Sequence, residues 1–103
     1  MVTSGVEMKE AQAQGVSVSD EALTVDLADG RTVTVPLAWF PRLVHGSAAE
    51  RANWRLIGRG QGVHWPDLDE DVSTESLLAG RQSGETQESL RRWLDARRIA
   101  TPR

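Results

Sequence analysis

The chain has 103 residues, 39% of them hydrophobic and 26% charged, with a net charge of −3 and no cysteine. That length fits one domain and leaves no room for a second core, and the charge content is that of a folded domain rather than a disordered chain. The missing thiols exclude a disulfide framework, a thiolate nucleophile and a cysteine-held zinc.

Charge is unevenly placed. Residues 1–80 carry six Lys/Arg against twelve Asp/Glu, whereas residues 81–103 carry six Arg against three acids. A basic tail on an acidic body suits an acidic partner, nucleic acid or the body of a second copy, and equally suits a solvated helix face. Residues 1–10 have no strand or helix period and are expected to be a loose start. They include Glu7 and Glu10, and no apolar run in the chain approaches the roughly 20 residues of a membrane span. A cytoplasmic chain without membrane contact is therefore expected.

From Val16 the pattern becomes that of half-buried strands. Val16 and Val18 alternate with serines, a turn follows at Ser19-Asp20-Glu21, and Leu23, Val25 and Leu27 take every second position. Asp29-Gly30 marks a hairpin. A two-residue loop would set Val25 against Thr34, whereas a three-residue loop, Ala28-Asp29-Gly30 with Gly30 left-handed, sets Val25 against Val33 and Leu23 against Val35. The second register makes one face continuously apolar and is the one predicted. Pro36 ends the pairing, and Leu37 to Leu43, with Trp39, Phe40 and Pro41, is expected to fold onto the open face of the sheet.

Ser47 caps a short predicted helix over residues 48–53. Trp54 and Leu56, then Val63 and Trp65, predict two short strands joined across Gly58-Arg59-Gly60-Gln61-Gly62. The acidic run Asp69-Glu70-Asp71 reads as the approach to a helix capped by Ser73, with Val72 and Leu77 at hydrophobic-staple positions, Leu78 beside them and Gly80 as the stop. A final amphipathic helix is predicted from about Glu85 to Arg98. Leu90, Trp93 and Leu94 form its stripe, and Glu88–Arg92 and Arg91–Asp95 lie at contact spacing. The organisation is thus a loose segment (1–10), an α+β body (11–80) with a small antiparallel sheet and two to three short helices, and an Arg-rich helical extension (81–103).

Three constellations invite a chemical reading. The glycines at 58, 60 and 62 neither end a strand before a helix nor precede a Lys-Ser/Thr pair, so they turn a hairpin rather than cradle phosphate. His64 with Asp67, Asp69, Glu70 and Asp71 has the residue types for a divalent ion or an acid–base pair, but lacks the spacing of a zinc or calcium site. Carboxylates near a helix start, or an acidic docking patch, explain the run as well. Arg91, Arg92, Arg97 and Arg98 could meet phosphates, but a single long helix does not make a helix-turn-helix. No catalytic, metal or cofactor site is assigned, and the chain is not expected to be an enzyme.

The segments LADGRTVTVPL (27–37), WFPRL (39–43), ERANW (50–54) and GQGVHWPDLDEDVSTESLLAG (60–80) resemble the bacterial domain-of-unknown-function family 2442. The resemblance implies a compact α+β fold and a small companion protein, of domain-of-unknown-function family 4160, encoded alongside in a toxin–antitoxin arrangement. The functional expectation is therefore a protein-binding module, antitoxin-like, with a nucleic-acid accessory protein as the alternative, a metal-dependent enzyme centred on His64 and Asp67 as the third reading, and a homo-oligomer as a further state. The expected contact residues are Trp65, Asp67, Asp69, Glu70 and Asp71 with Arg91, Arg92 and Arg98. Gly30, Trp39, Pro41, Leu43, Gly60, Gly62, His64, Pro66, Leu68, Ser73, Leu77 and Leu78 are expected to serve the fold.

Overall fold

The computed structural model describes residues 11–100; the expected loose start at 1–10 lies outside them, as do residues 101–103. Strands β1 (Ala13–Val18), β2 (Ala22–Leu27) and β3 (Thr32–Pro36) form one antiparallel sheet in that order. Strands β4 (Arg55–Ile57), β5 (Gly62–Trp65) and β6 (Glu70–Ser73) form a second. The α+β class is as expected, with the strands divided between two sheets.

The first hairpin has the predicted register, Val25 facing Val33 and Leu23 facing Val35. Leu27 and Arg31 close the loop, the Leu27 N–H donating to the Arg31 carbonyl at 2.8 Å. Gly30 takes φ +95°, and the Asp29 carboxylate accepts from the Arg31 N–H (3.0 Å) and Nε (2.7 Å). Leu23, Val25, Leu27 and Val35 consequently point into one core. A 3-10 turn (Leu37–Trp39) and α1 (Pro41–Val44) lay Leu37, Phe40 and Leu43 on the same core, with Trp39 half-buried at its edge.

Helix α2 (Ala48–Ala52) starts with a full capping box: Ser47 Oγ accepts from the Glu50 N–H at 3.1 Å, and the Glu50 carboxylate accepts from the Ser47 N–H at 2.9 Å. Helix α3 (Thr74–Leu78) is capped by Ser73, whose Oγ accepts from the Ser76 N–H. Val72 and Leu77 are both buried as the staple requires, whereas Leu78 is 39% exposed, contrary to its expected place in the fold. Five residues make little more than one turn, so the face opposite Leu77 meets water.

The acidic run departs from expectation. Glu70 to Ser73 are a strand, paired with β5 through Trp65↔Glu70, His64↔Asp71 and Val63↔Val72. Their alternation puts Val72 in the core and Asp71 outside, and pairing with a core strand outweighs the low strand propensity of Asp and Glu. Pro66-Asp67-Leu68-Asp69 is the hairpin tip. Leu68 turns inward to zero exposure, and Asp69 takes φ +52° to bring the chain round.

Gly60 joins the sheets. Its carbonyl accepts from the Ala13 N–H (2.7 Å) and from Thr74 Oγ (2.8 Å), while the Gln61 carbonyl accepts from the Thr74 N–H. Helix α4 (Gln87–Ala100) begins two residues later than expected, and Thr86 Oγ1 accepts from the Ser89 N–H at its start. No helix among the described residues is long and apolar enough to cross a membrane.

Candidate interaction surface

The expected contact residues do not form one patch. Trp65 is wholly buried, and its Nε1 donates to the Arg51 carbonyl at 3.0 Å. It is the central core side chain of the second sheet, so its ring offers a partner no contact. Strand alternation explains the difference: Trp65 shares its face with Val63, and His64 takes the other.

The carboxylates of the hairpin tip latch the surrounding helices. Asp67 accepts from Asn53 Nδ2 at 2.9 Å, and its carbonyl accepts from Arg97. The Asp69 carbonyl and carboxylate both accept from the Arg42 guanidinium, at 2.9 and 3.5 Å. Arg42 also binds Glu85 through two nitrogens, at 2.7 and 3.2 Å, and Glu85 accepts from Ser89 Oγ at 2.5 Å. Arg97 binds Glu50 at 3.0 and 3.3 Å. The two guanidinium carbons lie 5.1 Å (Arg42) and 4.7 Å (Arg97) from the Trp93 ring centre, within cation–π range. The C-terminal helix is therefore held by a clasp of arginine, carboxylate and indole, with Leu90 and Leu94 only half-buried. Hydrogen bonds from Arg42 hold the Glu85 carboxyl below its usual range, and those from Arg97 do the same for Glu50.

Glu70 faces this clasp. Burial pushes its carboxyl up to about 7, against the pull of Arg42 and with the help of Glu85 and Asp71. Its folded-state value lies above the unfolded one, so the native state holds the extra proton between about pH 4.5 and 7. Stability should accordingly fall as pH rises through that window. Glu70→Gln should be nearly neutral at pH 4.5 and stabilising at pH 8 by about 1–2 kcal/mol, the residual exposure of the group trimming the full effect. Urea unfolding of both proteins at the two pH values checks this, and an equal difference at each would refute it.

His64 and Asp71 pair through Nδ1 and the carboxylate across β5 and β6, with Arg55 in register beside them. The candidate acid–base or metal grouping of the sequence is thereby broken up, since Asp67 is held at the hairpin tip. Among the described residues no group of three or more His, Cys, Asp and Glu could hold a metal ion. On α4, Arg91, Arg92 and Arg98 are exposed. Arg92 pairs with Glu88 at 3.3 Å and Arg98 with Asp95 at 3.7 Å, where an Arg91–Asp95 contact was expected. Two acids interleave with these arginines, so the face carries little net positive field.

The surface that stands out is the outer face and free edge of the second sheet, which sequence reasoning missed. Leu56 and Ile57 are 36% and 39% exposed on β4. Ile57 leans over Gly62, where an added Cβ would come within 3.2 Å of its Cγ1. Beside it runs a shallow groove lined by Gln61, Asp71, Val72 and Ser73. Alternation places Leu56 on the inward side, and only its position at the sheet edge leaves it uncovered.

Comparison with known proteins agrees with this anatomy. The family model described as protein of unknown function (DUF2442) matches residues 13–83. A crystal structure of a protein of unknown function from Rhodospirillum rubrum is similar, with a TM-score of 0.61 and 29% identity over 75% of this chain and 93% of that one. The solution structure of an uncharacterised protein from Chromobacterium violaceum has a TM-score of 0.64 and 18% identity over 95% of this chain and 86% of that one, a likeness of fold. No curated protein matches the chain.

Proposed function

The chain belongs to the DUF2442 family of proteins of unknown function, and from that premise we propose that it is a protein-binding module that acts by covering the surface of a small partner. The observation that carries this reading is the pair of adjacent exposed apolar residues, Leu56 and Ile57, on a strand at the edge of a sheet and beside a groove. Two consecutive large apolar residues left exposed on an edge strand favour a partner that covers them, whereas Val44 and Leu78 are exposed singly. The finer reading is antitoxin-like: the partner is a small companion protein from the neighbouring gene.

Co-expression of the chain with the product of its neighbouring gene, followed by size exclusion, tests this. The expected result is a single stoichiometric complex and relief of any growth inhibition the partner causes alone. Separate elution with unrelieved inhibition would overturn the reading.

A further inference from the structure

Three kinds of unsatisfied surface coincide at β4. The strand pairs with β5 alone, and among the described residues no strand adjoins its other edge, so that edge presents backbone N–H and C=O groups ready for pairing. Leu56 and Ile57 are half the exposed large hydrophobics among the described residues, which also include only Val44 and Leu78. The third feature is charge. Arg42, Arg51, Arg92, Arg97 and Arg98 each meet a carboxylate. Among the described residues the exposed guanidinium groups of Arg55, which opens β4, and Arg59, two residues past its end, meet none, a state they share with Arg81 and Arg91. Of these, Arg55 and Arg59 are the two beside exposed apolar residues on a free strand edge, where their charge complements an acidic ligand.

The backbone at Arg59 adds to this. It sits at φ +58° between Gly58 (+59°) and Gly60 (+89°), a conformation that glycine or asparagine takes more cheaply and that costs other residues roughly 1–2 kcal/mol. The arginine therefore occupies a turn position against local conformational preference, and its side chain makes no hydrogen bond or ion pair among the described residues to compensate. Strain of this kind is often kept for what the side chain does elsewhere. Short edge strands flanked by charge also guard against aggregation, but guarding alone would not leave Leu56 and Ile57 bare between the two arginines.

We propose that the free edge of β4 receives an extended acidic segment of a partner protein, which adds a strand to the second sheet, pairs its carboxylates with Arg55 and Arg59 and covers Leu56 and Ile57. Main-chain hydrogen bonds would supply affinity and the flanking charges and alternate side chains specificity, as in other strand-addition complexes. This proposal rests on the protein-binding reading above and names the site and the partner's chemistry.

The test uses a fluorescein-labelled peptide alternating glutamate with valine as the probe, against the full chain at low salt. Binding should be lost when alternate peptide nitrogens are methylated or when lysine replaces glutamate. The double variant Arg55→Glu/Arg59→Glu should bind about tenfold or more weakly. The single variant Arg59→Gly should also weaken binding while unfolding at the same or higher urea concentration, a combination that a purely structural arginine would not produce. Failure of the acidic peptide to bind, equal binding of the methylated peptide, or preference for a single-stranded oligonucleotide would overturn the proposal. A concentration-dependent dimer of the chain alone, broken by the same double variant, would assign the edge to a second copy and overturn it likewise. If the companion protein co-elutes with the wild-type chain and equally with the double variant, the edge proposal falls while the protein-binding reading stands.

Discussion

Gly60→Ala should destabilise the domain by about 3 kcal/mol or more. Two costs combine. Gly60 takes φ +89°, which penalises an L side chain by roughly 1–2 kcal/mol. Its absent Cβ would fall 2.3 Å from the Ala13 carbonyl oxygen and 2.9 Å from the Ala13 nitrogen, and backbone atoms cannot rotate away as a side chain would. Forcing such an overlap typically adds 1–3 kcal/mol. The clash also falls on the hydrogen bond from Ala13 to Gly60 that ties the two sheets together, so its effect should be global and not confined to the turn. Gly30→Ala is the control, because Gly30 has φ +95° but nothing within 4 Å of an added Cβ. It should therefore lose only the conformational part, roughly 1–2 kcal/mol. Denaturant unfolding of the two variants separates the terms, and equal losses would mean that the close approach at Gly60 carries no cost.

Trp65→Ala should cost about 3–5 kcal/mol, the range for removing a fully buried large aromatic. Trp65 is among the side chains with zero exposure and packs in the single core shared by both sheets. Trp65→Phe should cost less, about 1–2 kcal/mol, because a ring remains and the chief loss is the hydrogen bond from Nε1 to the Arg51 carbonyl. A domain of this size is held by roughly 5–15 kcal/mol in total, so the alanine variant should be partly unfolded at 37 °C. Thermal unfolding followed by tryptophan fluorescence reads both variants. If the alanine variant kept its stability and lost only partner binding, Trp65 would be a surface contact after all.

Much of the fold was legible because its signals are short-range. The three-residue loop Ala28-Asp29-Gly30 follows from matching apolar faces across a single turn. The Ser47 and Ser73 caps follow from a hydroxyl placed a few residues ahead of unpaired N–H groups, and the Val72–Leu77 staple from five residues of spacing. Burial of Leu37, Phe40 and Leu43 follows from an apolar run placed after a strand-ending proline. The candidate site was far less legible. The acidic residues at 67–71 were expected to face a partner, yet Asp67 and Asp69 hold Asn53 and Arg42, and Glu70 is turned toward the clasp around Arg42 and Glu85. The arginines of the last helix looked equivalent in sequence. In the fold Arg97 is committed to Glu50 and Trp93, while Arg91 makes no ion pair or hydrogen bond among the described residues.

By itself, then, the sequence determined the α+β class, the hairpin register, the caps and most of the core, since each depends on residues within about one turn or one hairpin of each other. Tertiary structure alone decided that Glu70–Ser73 is a strand, that Trp65 faces inward, and that β4 lies at an edge with Arg55 and Arg59 unpaired. The strand at Glu70–Ser73 pairs within its own hairpin, from Trp65↔Glu70 to Gly62↔Ser73, and that pairing overrides the low strand propensity of Asp and Glu. The ion pairs Arg42–Glu85 and Arg97–Glu50 join residues 43 and 47 positions apart, and local pattern carries no record of which partner wins.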